Sequence, residues 1–431
     1  MFSIPTTSSL RLGAIAGILL GTSLLGAGKQ DGPKKSEQAK LVQQFYGLDR
    51  RSEPVPKEEA SLLARLAETP DLNAKEVKKW RKDMLKAWGK GPELKTRASN
   101  YLFDEERGKY LVGGKLSRPK GLAICMHGGG VGSGDAESAF GAYQSAISDM
   151  GWVGIFPEVL EKTELGWTDS GTEEFVLELV DRALRTWDLN PDNVYLVGHS
   201  MGGYGSWTLG ARHADRVAAL APSAGAPSPI LNRDGSVWRI VEGVIPNLRN
   251  VPMVIYQSTD DAQVPAQANQ AAVKELKAAQ ERWGGYEFEY WEESDRGHGA
   301  PPGGHGAHLE KIAGYTRDEL PLKIIWQPEI TWKRQFYWLW WDQPTPRQTI
   351  EAEADWKQRE VRIKTEADTQ QLSVLLSSDS VDLDQEFVVY VNDKETWRGI
   401  PKRRLEVLLA TSRHGDPRLT FEAKVPVRAA R

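Results

Sequence analysis

The chain has 431 residues, enough for two or three domains, and 40% of them are hydrophobic, which supports a substantial buried core. A net charge of −4 and a pI near 6.1 exclude any global electrostatic attraction to nucleic acid or to an anionic membrane. The single cysteine, Cys125, excludes an intramolecular disulfide and, set in an apolar run, reads as a small buried residue.

Arg11 precedes an apolar stretch over residues 12–25, and the small residues Gly26-Ala27-Gly28 follow it. The stretch is shorter than the roughly 20 residues that span a bilayer, and small residues suit a signal peptidase. Residues 1–28 are therefore expected to be a signal peptide of a protein exported to the periplasm or the extracellular space, with no stable membrane insertion after cleavage. Residues 29–96 read as a helical arm packed on the domain that follows. Val77, Trp80, Met84 and Trp88 share one face, and Leu62, Leu63 and Leu66 form a second stripe. The basic run Lys78-Lys79-Trp80-Arg81-Lys82 reads as a solvated helix face.

From residue 97 onward, apolar strands alternate with amphipathic helices, the pattern of a mostly parallel sheet covered on both faces. The strand Leu122-Ala123-Ile124-Cys125-Met126 runs into His127-Gly128-Gly129-Gly130, whose exposed amides suit an oxyanion, with His127 shaping the loop. A helix carrying Val176, Val180, Ala183, Leu184 and Trp187 follows, capped by Ser170 or Thr172 and ended by Asn190-Pro191-Asp192.

The next strand, Val194-Tyr195-Leu196-Val197, leads directly into Gly198-His199-Ser200-Met201-Gly202. Glycines two residues either side of Ser200 let backbones pass closely around a strained residue and lift its hydroxyl clear of the sheet, while a helix starting at Met201 aims its amides at the same point.

A serine hydroxyl needs a base, and a base needs an orienting carboxylate. The strand at residues 251–256 opens into Ser258-Thr259-Asp260-Asp261, followed by a helix at 266–280. Either of the adjacent carboxylates, Asp260 or Asp261, can orient the base, leaving the other to turn chemistry and capping. After a strand at 286–291 comes His298 between Gly297 and Gly299, free to swing its imidazole back over the sheet. His305 and His308 lie in Pro301-Pro302-Gly303-Gly304-His305-Gly306-Ala307-His308, where glycine and proline argue against a helix. They are expected on a mobile, solvated loop that holds no metal.

On these motifs, residues 97–325 resemble the alpha/beta hydrolase superfamily, in particular its secreted bacterial carboxylesterase, phospholipase and dienelactone-hydrolase branch, some members of which are labelled predicted peptidases. The resemblance implies Ser200 as nucleophile, Asp261 as acid, His298 as base, and the amides of Gly129 and Met201 as the oxyanion hole. It implies a serine esterase that forms an acyl-enzyme on small or polymer-linked esters, with no cofactor and no nucleic-acid partner. A serine peptidase, or a catalytically silent glycan-binding or scaffold protein on the same fold, is the alternative. The family's long cap is replaced by residues 226–250, which leaves the cleft open. Trp167, Trp238 and Tyr204 are placed either in that cleft or in the core.

Beyond residue 325 the pattern changes to Trp332-Lys333-Arg334-Gln335-Phe336-Tyr337-Trp338-Leu339-Trp340-Trp341 and then short alternating runs such as Phe387-Val388-Val389-Tyr390-Val391. Residues 326–431 read as a small β domain resembling a sandwich, its tryptophans packing it onto the preceding domain rather than forming a glycan-binding surface.

Overall fold

The computed structural model describes residues 32–50, 55–97, 99–104 and 106–427, so the expected export signal lies outside the described residues. Three helices come first: α1 (Lys35–Tyr46), α2 (Lys57–Ala67) and α3 (Ala74–Trp88). A capping box starts α3: Asn73 Oδ1 accepts the amides of Lys75 and Glu76, and the Glu76 carboxylate accepts the Asn73 amide. Val77 and Met84 are buried as their spacing implied, but their main partner is not the expected one. They join Val42, Phe45 and Leu66 against Leu405, Leu408 and Leu409, so the arm docks on a helix of the C-terminal region. Arg81 also leaves the solvated face predicted for it, donating from Nη2 to the Thr420 carbonyl at 2.7 Å.

The central sheet is built from β1 (Asn100–Tyr101), β2 (Lys109–Gly114), β3 (Leu122–Met126), β4 (Val153–Pro157), β5 (Val194–His199) and β6 (Ala219–Ser223). After the short hairpin β7 (Pro229–Leu231) and β8 (Val237–Ile240), it is completed by β9 (Met253–Ser258) and β10 (Phe288–Glu293). The spatial order is β1-β2-β4-β3-β5-β6-β9-β10. From β4 to β10 every neighbour is parallel; β1 and β2 are antiparallel at one edge. The last strand, β10, begins later than its alternation suggested. Gly284, Gly285 and Tyr286 all take positive φ before it, and Tyr286 turns inward to donate its hydroxyl to the Pro246 carbonyl at 3.0 Å.

Strand alternation decides which helices cover which face. Ala123, Cys125, Tyr195 and Val197 point to the side covered by α4 (Ala136–Asp149) and α8 (Gly304–Glu310). Leu122, Ile124, Val194 and Leu196 point to the side covered by α5 (Thr172–Trp187), α6 (Met201–Arg212) and α7 (Gln267–Trp283). The parallel strands share a direction, so the loops that follow β3, β5, β9 and β10 all emerge at one edge of the sheet. That edge is where open α/β sheets hold their ligands.

The C-terminal region has two sheets. One contains β11 (Lys323–Trp326), β14 (Ile350–Asp355), β15 (Glu360–Lys364), β17 (Phe387–Val391) and β18 (Lys394–Gly399). The other contains β12 (Gln335–Phe336), β13 (Leu339–Trp341), β16 (Leu372–Leu376) and β19 (Ala423–Pro426), with α9 (Leu405–Thr411) as the dock for the N-terminal arm. Phe336, Tyr337, Trp338 and Trp341 are buried, and the Tyr337 hydroxyl donates to the Ala214 carbonyl at 2.9 Å. These aromatic residues therefore pack the two regions together.

Candidate active site

The turn between β5 and α6 is tighter than the sequence alone required. Ser200 has φ 60° and ψ −123°, a conformation that costs a non-glycine residue of order 1–3 kcal/mol. Close backbone packing imposes it: a Cβ on Gly198 would sit 2.3 Å from the Gly202 carbonyl, one on Gly202 2.1 Å from the Met126 carbonyl, and one on Gly225 2.1 Å from the Ser200 carbonyl. Glycine at these positions lets β3, β5 and β6 close around the serine. The Ser200 amide donates to the Ser223 carbonyl at 2.8 Å, fixing the elbow to the neighbouring strand.

The loop after β3 closes beside it. Gly128 approaches so nearly that a Cβ there would lie 3.1 Å from Ser200 Cβ. Gly129 has φ +145°, and a Cβ on it would sit 2.5 Å from the Ser133 carbonyl. Gly132 anchors the loop by donating to the Lys162 carbonyl at 2.8 Å. Among the described residues the amides of Gly129 and Met201 donate to no protein acceptor, the condition an oxyanion hole requires. His127 is a structural residue. Its buried ring takes the Val159 amide on Nε2 at 3.2 Å and so donates from Nδ1 to the Gly128 carbonyl at 2.8 Å. Burial holds its pKa below the ordinary value.

Asp261 is buried just beyond the end of β9, and Oδ1 accepts the amides of Gln263 and Val264, both at 2.9 Å. Its Oδ2 accepts Nδ1 of His298 at 2.7 Å, which leaves Nε2 of that ring to exchange a proton. The Ser200 Oγ has no hydrogen-bond partner among the described residues. Asp260 plays a different part, since its Oδ1 accepts the Ser258 hydroxyl and the amides of Gly297 and Arg296, the last two at 3.0 and 3.2 Å. The Ser258 bond, with those amides, holds its carboxyl below the usual carboxylate range.

Several contributors carried no sequence signal beyond their place beside the motifs. His199 donates from Nε2 to the His298 carbonyl at 3.3 Å and accepts the Ser223 hydroxyl on Nδ1 at 3.0 Å, with its ring 4.9 Å from that of His298. Burial, reinforced by His298, lowers its pKa. Gln257 donates to the carbonyls of Ser258 and Val264, each at 3.0 Å, and accepts Asn269 at 2.8 Å, stiffening the acid loop.

His305 and His308 depart from expectation. They lie on α8, because Pro301, Pro302 and Gly303 precede its first turn, where proline and glycine do not interrupt the helical ladder. His308 is 1% exposed and donates Nε2 to the Val254 carbonyl at 2.7 Å. His305 packs 4.3 Å from the Tyr143 ring. Burial pushes their pKa values down, to about 4 for His308 and about 3 for His305. Trp167 is fully buried and donates to the His127 carbonyl at 3.2 Å, so it belongs to the core. Trp238 is exposed on β8, and Tyr204 is half-buried with its hydroxyl 2.9 Å from that of Thr168.

Residues 161–239 match the family model described as the alpha/beta hydrolase fold. No curated protein matches the sequence. Among solved structures, the chain is similar to a thermostable esterase at 19% identity, over 51% of this chain and 62% of that one, with a TM-score of 0.39. It is also similar to an arylesterase at 14% identity, over 60% and 97% of the two chains, with a TM-score of 0.39. An acetyl xylan esterase from Aspergillus awamori matches at 14% identity, over 51% and 99%, with a TM-score of 0.38. The strand order, the glycine-lined elbow and the family match agree: the chain has the alpha/beta hydrolase fold and resembles that superfamily.

Proposed function

We propose that the chain is an exported serine hydrolase that cleaves carboxylic esters through an acyl-enzyme. The observation that carries the reading is the 2.7 Å contact of Asp261 with His298 Nδ1, at the same sheet edge as a serine held at positive φ. Ser200 Oγ attacks the ester carbonyl while His298 Nε2 takes its proton, and the amides of Gly129 and Met201 receive the oxyanion. The C–O bond to the alcohol then breaks as His298 returns the proton to the leaving oxygen. Water, deprotonated by the same imidazole, attacks the acyl group, and the acid departs with Ser200 restored. Asp261 keeps the imidazole in the tautomer whose Nε2 is free.

Only 226–250 lie where a long cap would insert, and among them just the β7–β8 hairpin is regular strand, so an ester attached to a polymer has room to approach. The test is side-by-side hydrolysis of a short acyl ester and its matched amide, with fluorophosphonate labelling of Ser200. Ester turnover with a labelled Ser200 supports the reading. Preferred amide cleavage assigns a peptidase, and an unreactive Ser200 assigns a silent scaffold.

A further inference from the structure

A cavity of about 380 Å³ lies between the N-terminal arm, α5 and the segment that follows α9, and it contains no member of the proposed triad. Of the guanidinium groups near it, those of Arg50, Arg334 and Arg413 gather around one carboxylate, Glu59. Glu59 is already bonded to Arg50 at 2.9 Å and to Arg334. The third, Arg413, forms no ion pair and no hydrogen bond among the described residues, although it lines this cavity and the smaller one adjoining it. The other nearby carboxylates each have a partner, which for Glu174 is only a backbone amide. Asp181 binds Arg216 and His414 Nδ1, the latter at 2.8 Å, Glu178 binds Arg182 at 2.7 Å, Glu174 accepts the Gly171 amide at 3.0 Å, and Asp49 has a partner of its own.

Two further buried donors lack acceptors at the same place. Among the described residues, Nε1 of Trp88, which lines the cavity, and Nη1 of Arg216, a 9%-exposed side chain lining the adjoining space, have no hydrogen-bond partner. Trp88 is held by Arg185 above its ring and by Gly415, where a Cβ would collide with the ring at 2.2 Å. Each of these three unmatched groups is a donor, and Arg413 carries a charge with no paired counterion. Water could accept the hydrogen bonds but would leave Arg413 with no direct ion-pair partner among the described residues, facing Glu59 and Asp181 that other cations already share, which is costly in a partly desolvated site. Burial, with the nearby Arg50, lowers the pKa of Arg413 to about 10, and the carboxylates of Glu59 and Asp181 offset this only in part.

We infer that this cavity is a binding site for a small oxoanion-bearing molecule, a phosphate ester or a polycarboxylate, with Arg413 as the charge partner and Trp88 Nε1 as a donor, Arg216 Nη1 lying in the adjoining space that Arg413 also lines. The volume is that of a small organic ligand, many times the roughly 30 Å³ share of one water. Arginine suits the role because its planar fork meets two oxygens of such a group at once. The site joins three parts of the chain, so an occupant would fasten the arm and the C-terminal region to α5.

The test uses the whole chain at constant ionic strength, titrated with inorganic phosphate, citrate or chloride, and followed by calorimetric unfolding and isothermal titration. A saturable rise in Tm of several degrees with phosphate or citrate, but not chloride, is expected. The stronger of the two ions tells phosphoryl from carboxylate recognition. Arg413→Gln should unfold in chloride no lower than the parent, since it removes a buried charge that has no ion-pair partner among the described residues, and should lose the anion response. Trp88→Phe, which keeps an aromatic ring and removes the donor, should weaken anion binding several-fold. An equal response in Arg413→Gln, no saturable response to either ion, or a Tm several degrees lower for Arg413→Gln in chloride would each overturn the inference.

Discussion

Asp260 accepts the backbone amide of Gly297 at 3.0 Å, while its neighbour Asp261 accepts the imidazole of the next residue, His298, at 2.7 Å. Two adjacent carboxylates thus hold two adjacent residues, one by the main chain and one by the ring. The pair predicts separable losses. Asp261→Asn should lower turnover by about 10⁴-fold by disfavouring the working tautomer. Asp260→Asn keeps an oxygen acceptor and should cost about tenfold or less, through a looser loop. Steady-state kinetics on one ester checks both, and a larger loss at Asp260 would reverse the assignment of the acid.

Ser200→Ala should abolish turnover by about five to six orders of magnitude, as in comparable triads, and end labelling by fluorophosphonate. It removes only Oγ, which has no hydrogen-bond partner among the described residues, so the unfolding midpoint should not fall. Ester hydrolysis near the parent rate in the purified variant would place the nucleophile elsewhere.

His298→Ala should remove activity, whereas His305→Asn should retain most of it, because His305 packs behind the site against Tyr143. Chelators should leave the rate unchanged, since the proposed chemistry runs through Ser200, Asp261 and His298. A chelator-sensitive enzyme that survives the loss of His298 would overturn the triad.

His308 gives the fold an acid limit. Its pKa is lowered from 6.5 to about 4 in the folded state, so between those values the unfolded chain binds the proton that the folded chain refuses. Its contribution is fully present above about pH 6.5 and is lost as the pH falls through about 4, by about 3 kcal/mol in total. Urea unfolding at pH 7 and pH 4.5 should show that loss in the parent. His308→Gln should show a smaller drop between the same two pH values, even if it is less stable at pH 7. An unchanged drop would move the acid sensitivity to other groups.

The Gly198-to-Gly202 elbow, the glycine loop after β3 and the alternation of apolar strands with amphipathic helices were legible because each rests on neighbours in sequence. A strand followed at once by a glycine-flanked serine states its own geometry, and alternation along β3 and β5 states which side chains face which layer. Tertiary structure decided whatever depends on residues far apart in the chain. Leu405, Leu408 and Leu409 fix where the arm docks, against expectation, because an amphipathic face specifies that it must be buried and not by what. Composition around His305 and His308 pointed to a solvated loop, yet Tyr143 of α4 packs on one and the Val254 carbonyl holds the other, both on a short helix. The distinct parts played by Asp260 and Asp261, and the brace from His199 to His298, likewise arise only where β5, β9 and β10 end near one another. Periodicity and turn chemistry act over a few residues, whereas the partners that complete a buried charge or orient an imidazole are brought together by the sheet.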